Sequence, residues 1–528
     1  MKKSLVLHPF LFAAFPVLFV FAHNMDQIRA SMVPGPIVFT TFAAFLCWSL
    51  LSLVLRDGKR AGLIVSLFFL LFFSYGICHL AMKVLAARLL GRSTIVTPGH
   101  ILIPWAILFA LGTYSFAKTD RNLHNLTSIA DIVAGCLVAV CVINIGAYEL
   151  RSMSAWRGNG NTVDIETQPT YQEAGVLPDI YYIVLDGYAR ADVLEEIYDY
   201  DNTEFLDYLT AKGFYVAHES RSNYCMTLLS LASSLNSTYL DGLAQQIGGE
   251  YRGAGPVAGM IGDSKVFRFL RSHGYEIVAF ASGYAGTEVG NADRYLAHRW
   301  YPDEFQVALI NMTPLPVVLN ALYDMHDWHR ERILYTFEHL PDASELPGPT
   351  FVFAHIIAPH PPFVFGPNGE RIDPELQFVL ADGSHLIGKR GMTRDEYVAQ
   401  YRGQLMFVNT QVRGAVDAIL STSQRPAIIV LQADHGPGSM LDWDDPDNAN
   451  VEERLSVLNA YYLPGGGETH LYPGITPVNT FRVIFNHYFD ADLELLEDES
   501  YFSTWGRPHA FINVTDGMDA DADIVHGE

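Results

Sequence analysis

The sequence predicts an α/β protein in two parts. About five transmembrane helices occupy residues 1–150, a linker follows at 151–178, and residues 179–528 form a domain with a mostly parallel sheet flanked by helices. Three observations predict this. Apolar segments of membrane-spanning length crowd the first 150 residues. Beyond the linker, short apolar runs alternate with amphipathic stretches, the pattern of strands joined by helical crossovers. Charge also divides the chain: residues 1–150 hold 11 Lys and Arg against 5 Asp and Glu, and the remainder 23 against 53.

The apolar segments lie at residues 5–22, 36–55, 62–82, 101–117 and 129–148. Each approaches the ~20 residues that a bilayer crossing needs. Lys2 and Lys3 ahead of the first would suit a signal peptide, but the segments that follow at short intervals point to an anchor. With the N-terminus inside, seven basic residues flank the inner ends (Lys2, Lys3, Arg56, Lys59, Arg60, Lys118, Arg121) and four the outer ends (Arg29, Lys83, Arg88, Arg92). An odd number of crossings then puts the second part outside the cytoplasm, in a protein of the cell (inner) membrane with an extracytoplasmic or periplasmic domain.

So acidic a domain excludes nucleic acid as a partner, because phosphate contacts need Lys and Arg. Of five cysteines, Cys47, Cys78, Cys136 and Cys141 fall in apolar segments. Cys225 stands alone in the second part, so no disulfide forms there. No phosphate loop of glycines ending in Lys-Ser or Lys-Thr is present.

Residues 151–178 are polar and rich in Gly, Thr and Gln, hence the linker. The run 180–185 is a first buried strand, 214–217 a short one, 275–281 another, 350–354 another, and 427–433 a last. Asp263 can cap a helix ending at His273-Gly274, and Thr393 with Glu396 makes a capping box for a long helix reaching Leu420. Residues 490–528 are acidic and weakly patterned, and read as partly loose.

Chemistry collects at the strand ends. One strand runs out on Asp434-His435-Gly436, another on Asp186-Gly187, and a third on His355, with His360 following in a Pro-rich loop. Ligands in open α/β sheets gather at the carboxyl ends of strands. A single Asp there is an ordinary turn residue or helix cap. Three strand ends delivering metal-type and acid/base side chains to one edge point to a metal site. His355, inside its strand, also suits a core histidine. A nucleophile is sought in residues 220–236, where a short strand leads into a helix-like stretch. A hydroxyl at a helix start is favoured as an alkoxide and beside a bound oxyanion. Thr227 fits best; Ser222, Ser230 and Cys225 are rivals, and a plain helix cap is the structural alternative.

In this order of motifs, the chain resembles the alkaline phosphatase superfamily, in its sulfatase-like branch, and most of all the membrane-anchored lipoteichoic acid synthases and phosphoethanolamine transferases. The residues that carry the resemblance are Asp186, Thr227, His360 and Asp434-His435-Gly436, with the stretch Pro473–Arg482. It implies one divalent ion (Mn, Mg or Zn) held by Asp186, Thr227, Asp434 and His435, with Thr227 as nucleophile and His360 as acid or base. His355, Asn223 and Arg221 become candidates for substrate binding. It further implies a metal-dependent transferase, moving a phospholipid headgroup of the phosphoethanolamine or phosphoglycerol type to an envelope glycan or lipid through a phosphothreonine. A sulfatase-like phosphodiesterase or sulfuric ester hydrolase uses the same ligands, and a non-catalytic membrane scaffold would have lost them. Two departures stand out. Asp186 replaces the Glu usual in the transferases, and Arg190 falls one place late for the Asp-Gly-x-Arg motif of phosphodiesterase members. Cys225 has Thr227 and Leu229 where a true sulfatase has Pro and Arg, which disfavours sulfate hydrolysis.

Overall fold

The computed structural model describes residues 5–25, 30–90, 98–119, 122–156, 177–249, 251–298, 302–319, 325–372 and 378–517. Residues 157–176 of the expected linker lie outside these, as do 518–528 and the orienting residues Lys2, Lys3, Arg29, Arg92 and Arg121. The chain divides into two compact units, Met1–Ser154 with Pro302–Asp324, and Ala155–Tyr301 with Met325–Glu528.

The first unit contains α1 (His8–His23), α2 (Pro34–Leu55), α3 (Gly58–Leu90), α4 (Pro98–Lys118) and α5 (His124–Trp156). Among the described residues, four helices are long and apolar enough to cross a membrane; α1, at 16 residues, is shorter. The N-terminus of α1 has no cap of its own. Asp131 of α5 supplies one, accepting the Leu7 and His8 amides at 2.9 and 2.7 Å. α5 continues to Trp156, so residues 151–156, expected in the linker, are helical.

One segment corrects the expected division. The sequence assigns residues 302–324 to the second part, yet they belong to the helical unit. The helix Glu304–Asn311 buries Phe305 and Leu309 among Val17, Val20, Phe21 and Val33. Gly76 donates to the Met312 carbonyl at 2.9 Å, and a Cβ at Gly76 would meet the Asn311 carbonyl oxygen at 2.1 Å. An eight-residue amphipathic helix is too short to advertise which unit covers its apolar face.

The second unit is built on a seven-stranded sheet of order β2-β7-β6-β1-β5-β3-β4. Its strands are β1 (Asp179–Leu185), β2 (Tyr215–Val216), β3 (Glu276–Phe280), β4 (Arg294–Leu296), β5 (Thr350–Ile356), β6 (Ala427–Gln432) and β7 (Asn459–Tyr462). β4, β3, β5, β1 and β6 run parallel, while β7 is antiparallel to β6. Every residue of β1 is buried, because helices cover both faces. Tyr181, Ile183 and Leu185 enter one core with the helix Arg394–Thr422, and Ile180, Tyr182 and Val184 enter the other with the helices Thr227–Asn236 and Pro477–Phe489. Each such side chain contributes roughly 1.5–3 kcal/mol relative to exposure. The Thr393–Glu396 capping box forms. The helix expected to start at Asp263 is capped by Ser264 instead, whose hydroxyl accepts the Phe267 amide at 3.2 Å.

The C-terminal stretch, read as partly loose, is ordered where described. β8 (Tyr501–Thr504) and β9 (Arg507–Asn513) pair as a hairpin pinned on residues 222–225. The Tyr501 amide donates to the Asn223 carbonyl and the Ser500 hydroxyl to the Ser222 carbonyl, each at 2.9 Å. Backbone pairing of this kind leaves little hydrophobic pattern for the sequence to show.

Candidate metal centre

Strand register builds the site. Val184 of β1 lies opposite His355 of β5 on one side and Gln432 of β6 on the other. Asp186 just past β1, His355 near the end of β5 and Asp434 just past β6 therefore arrive level at one sheet edge. One ligand atom from each lies within 4.8 Å of the other two. Gly187 permits the turn after Asp186 by its φ of 74°, and its amide donates to Asp434 Oδ1 at 3.2 Å.

The other oxygens decide what the site suits. Asp186 Oδ1 and Asp434 Oδ2 are buried without a hydrogen-bond partner. They lie 3.7 and 3.2 Å from His435 Nε2, which is 2.9 Å from Thr227 Oγ1. His435 Nδ1 faces the Gly436 carbonyl at 2.9 Å. A carbonyl only accepts, so Nδ1 carries the hydrogen and Nε2 presents its lone pair. Orphaned carboxylate oxygens around a lone pair are costly to bury, and a cation among them removes that cost. The donor set fits a divalent metal ion.

His355 holds the opposite oxygen, Asp186 Oδ2, at 3.1 Å through Nε2, and its Nδ1 meets Thr287 Oγ1 at 2.8 Å. It is buried with both ring nitrogens engaged, and it orients Asp186 from behind. Burial alone would raise the Asp186 carboxyl, but the His360 charge and the His355 hydrogen bond outweigh it and hold it well below the usual carboxylate range. Burial would lower His355, and its bond to Asp186 raises it instead. Burial and then the Arg454 charge push His435 down, towards the neutral imidazole a metal ligand must be.

Thr227 is the first residue of the helix Thr227–Asn236, whose cap position is Met226 with no side-chain cap. Its hydroxyl is therefore not spent on the helix end; it points to His435. The rivals are committed elsewhere. The Ser222 hydroxyl lies between the Asp434 and Tyr224 carbonyls and donates to one of them, and Ser230 is buried beside Ser222. Cys225 is buried against Ser503, and burial raises its thiol, the opposite of an activated cysteine.

His360 is fixed by its own backbone: its amide donates to the Asp186 carbonyl at 2.9 Å, and Nδ1 bonds the Pro361 carbonyl at 2.5 Å. Its ring centroid is 6.2 Å from that of His435. Asn223, expected near substrate, is a structural clasp. Its amide nitrogen reaches Thr476 Oγ1 and the Glu499 carbonyl, both at 2.9 Å, and its oxygen takes the Val478 amide. Arg221 is half-buried and its charge acts on Glu452. Two charged residues beside the site were missed by sequence reasoning, Asp382 and Arg454. Arg454 Nη1 bonds Asp382 Oδ2 at 2.7 Å, and Asp382 Oδ2 is 4.0 Å from His360 Nε2. Burial would raise the Asp382 carboxyl, but Arg454 and His360 outweigh it and hold it low. Neither residue sits in a motif; Asp382 is in a loop and Arg454 in a five-residue helix.

A doubly covered, mostly parallel sheet with acidic and imidazole groups beside a helix-start hydroxyl defines an ester-processing α/β enzyme of the phosphatase–sulfatase type. The sequence profile described as Sulfatase matches residues 178–486, and the chain belongs to that family. No curated protein matches it. Among solved structures it is similar to the C-terminal periplasmic domain of EcEptC from Escherichia coli in complex with Zn, at 10% identity over 65% of this chain and 94% of that one, TM-score 0.43. It is also similar to the integral membrane protein lipooligosaccharide phosphoethanolamine transferase A of Neisseria meningitidis, at 12% identity over 88% and 90%, TM-score 0.37. The C-terminal periplasmic domain of phosphoethanolamine transferase EptC from Campylobacter jejuni matches at 10% identity over 59% and 89%, TM-score 0.36.

Proposed function

We propose that the chain is a metal-dependent transferase that moves a phospholipid headgroup, of phosphoethanolamine or phosphoglycerol type, to an envelope glycan or lipid. The observation that carries this reading is the Thr227 hydroxyl, free of any capping duty and 2.9 Å from His435 Nε2, beside the orphaned oxygens of Asp186 and Asp434. Asp186, Asp434, His435 and Thr227 would hold one divalent ion. Bound there, Mn²⁺, Mg²⁺ or Zn²⁺ would lower the hydroxyl pKa and offset charge on the transferred group.

The residues act in two displacements. Thr227 Oγ1, its proton lost to solvent, attacks the diester phosphorus. The bond to diacylglycerol breaks, and His360 Nε2 gives its proton to the departing oxygen. The acceptor hydroxyl then attacks the phosphothreonine and gives its proton to His360, and the Thr227 oxygen leaves and regains a proton from solvent. His355 keeps Asp186 oriented throughout. The long apolar helices support an anchor in the cell membrane, which holds the site near its lipid donor and raises encounter frequency. The catalytic unit is placed on the extracytoplasmic side, where such acceptors occur.

Family membership favours a second reading, an ester hydrolase with water as acceptor. Sulfate-ester hydrolysis through a modified cysteine is disfavoured, because Cys225 is sealed against Ser503. Intact-peptide mass spectrometry of Thr227 after incubation with membrane phospholipids tests the proposal. A headgroup-phosphate adduct on Thr227 that an acceptor discharges supports the transferase. An adduct discharged equally fast by water alone supports the hydrolase, and no adduct on Thr227 under turnover refutes both.

A further inference from the structure

The segments that carry Thr227, His435 and His360 come from distant parts of the chain, and one buried ion pair touches all of them. Arg454 Nε donates to the Cys225 carbonyl at 2.8 Å, two residues before Thr227. Arg454 Nη1 donates to the Gly436 carbonyl, the residue after His435, at 2.9 Å and to Asp382 Oδ2 at 2.7 Å. Asp382 is held in turn by the Tyr397 hydroxyl at 2.7 Å and faces His360 Nε2 at 4.0 Å. Because His360 Nδ1 is tied to the Pro361 carbonyl, the ring can present only Nε2 to Asp382.

Backbone has been cleared for this arrangement. A Cβ at Gly436 would sit 2.0 Å from the Glu453 carbonyl oxygen, and one at Gly438 2.9 Å from Asp382 Oδ2. We propose that Arg454 and Asp382 are a positioning pair that sets the distance between Thr227 and His435 and aims His360. The planar guanidinium is required, because a lysine ammonium on its flexible stem cannot bridge two carbonyls in a fixed fork. The inference rests on the metal-dependent reading of the site.

The test uses the full chain in detergent, Mn²⁺ alone as the binding probe, and bis(p-nitrophenyl) phosphate as a diester. Arg454→Lys and Asp382→Asn should each lose ~10–100-fold in Mn²⁺ affinity and in kcat, the range for outer-shell partners of a metal site. KM should stay within about three-fold, as expected when ground-state binding is untouched. The double variant Asp382→Leu with Arg454→Met removes both charges. Its metal-free Tm should return close to wild type while kcat and Mn²⁺ affinity stay low, which separates positioning from stability. Folded variants with wild-type affinity and kcat would overturn the pair. Wild-type protein that binds Mn²⁺ but cleaves no diester sinks the transferase and phosphodiesterase readings, and the affinity comparison still decides the pair. Wild-type protein that binds none of Mn²⁺, Mg²⁺ and Zn²⁺ sinks the metal reading and this proposal with it.

Discussion

Replacing Thr227 with alanine should separate chemistry from folding. The side chain is half-buried, caps nothing, and has His435 Nε2 as its hydrogen-bond partner. Losing that bond costs roughly 0.5–1.5 kcal/mol. Alanine in place of threonine on a helix returns about 0.5 kcal/mol of propensity. The net loss is under about 1 kcal/mol, a Tm decrease of no more than ~4 °C. Turnover should fall by ~10⁴-fold or more, as when a covalent nucleophile is removed. Differential scanning fluorimetry of the metal-free chain and release of p-nitrophenol from a diester measure the two quantities. Thr227→Ala protein retaining more than about a tenth of wild-type turnover would refute the nucleophile assignment. A Tm drop beyond ~8 °C would show that the hydroxyl serves the fold.

Other consequences are equally direct. Asp434→Asn should leave the metal-free Tm unchanged or higher, since it removes one orphaned buried oxygen, and should abolish the Tm rise that Mn²⁺ gives wild type, ~2.7 kcal/mol of stabilisation at 100 times Kd. A metal-induced rise that survives the substitution would contradict its role as ligand. Gly436→Ala brings a Cβ to 2.0 Å from the Glu453 carbonyl oxygen. It should destabilise by about 1–3 kcal/mol, read from denaturant midpoints, and should lower activity further than stability. The folded Asp382 carboxyl sits below its ordinary value, so its contribution is present above the unfolded value of about 4 and is lost as pH falls through the folded value. Asp382→Asn should flatten the acid limb of Tm against pH in chelated protein, and an unchanged limb would refute the linkage. A reporter fused after Glu528 should be active only in an oxidising external compartment. Cytoplasmic activity would mean that the number of crossings is even, with the 16-residue α1 not spanning.

Five of the sheet's seven strands (all but β4 and β7), the strand-end acids and the helix-start hydroxyl could be read from the sequence, because each has a local cause. The apolar runs at 180–185 and 427–433 are continuous since their strands are covered on both faces, and Thr393 and Glu396 write their capping box in four residues. That Asp186, Asp434 and His435 share one edge followed from strand ends, Thr227 from a helix start, and their joint role as ligands only from the resemblance; their distances followed from none of these. Tertiary structure decided the rest. His355 and Asp434 come level only through the shared register with β1, a pairing that composition does not encode. Asn223 looks like a site residue and is a clasp because the C-terminal hairpin and the segment after Pro473 close over it. Residues 302–319 join the helical unit because Phe305 and Leu309 find their cover there. Asp382 and Arg454 were invisible because a buried ion pair is a property of two residues brought together by the fold, and neither carries a local signature of its partner.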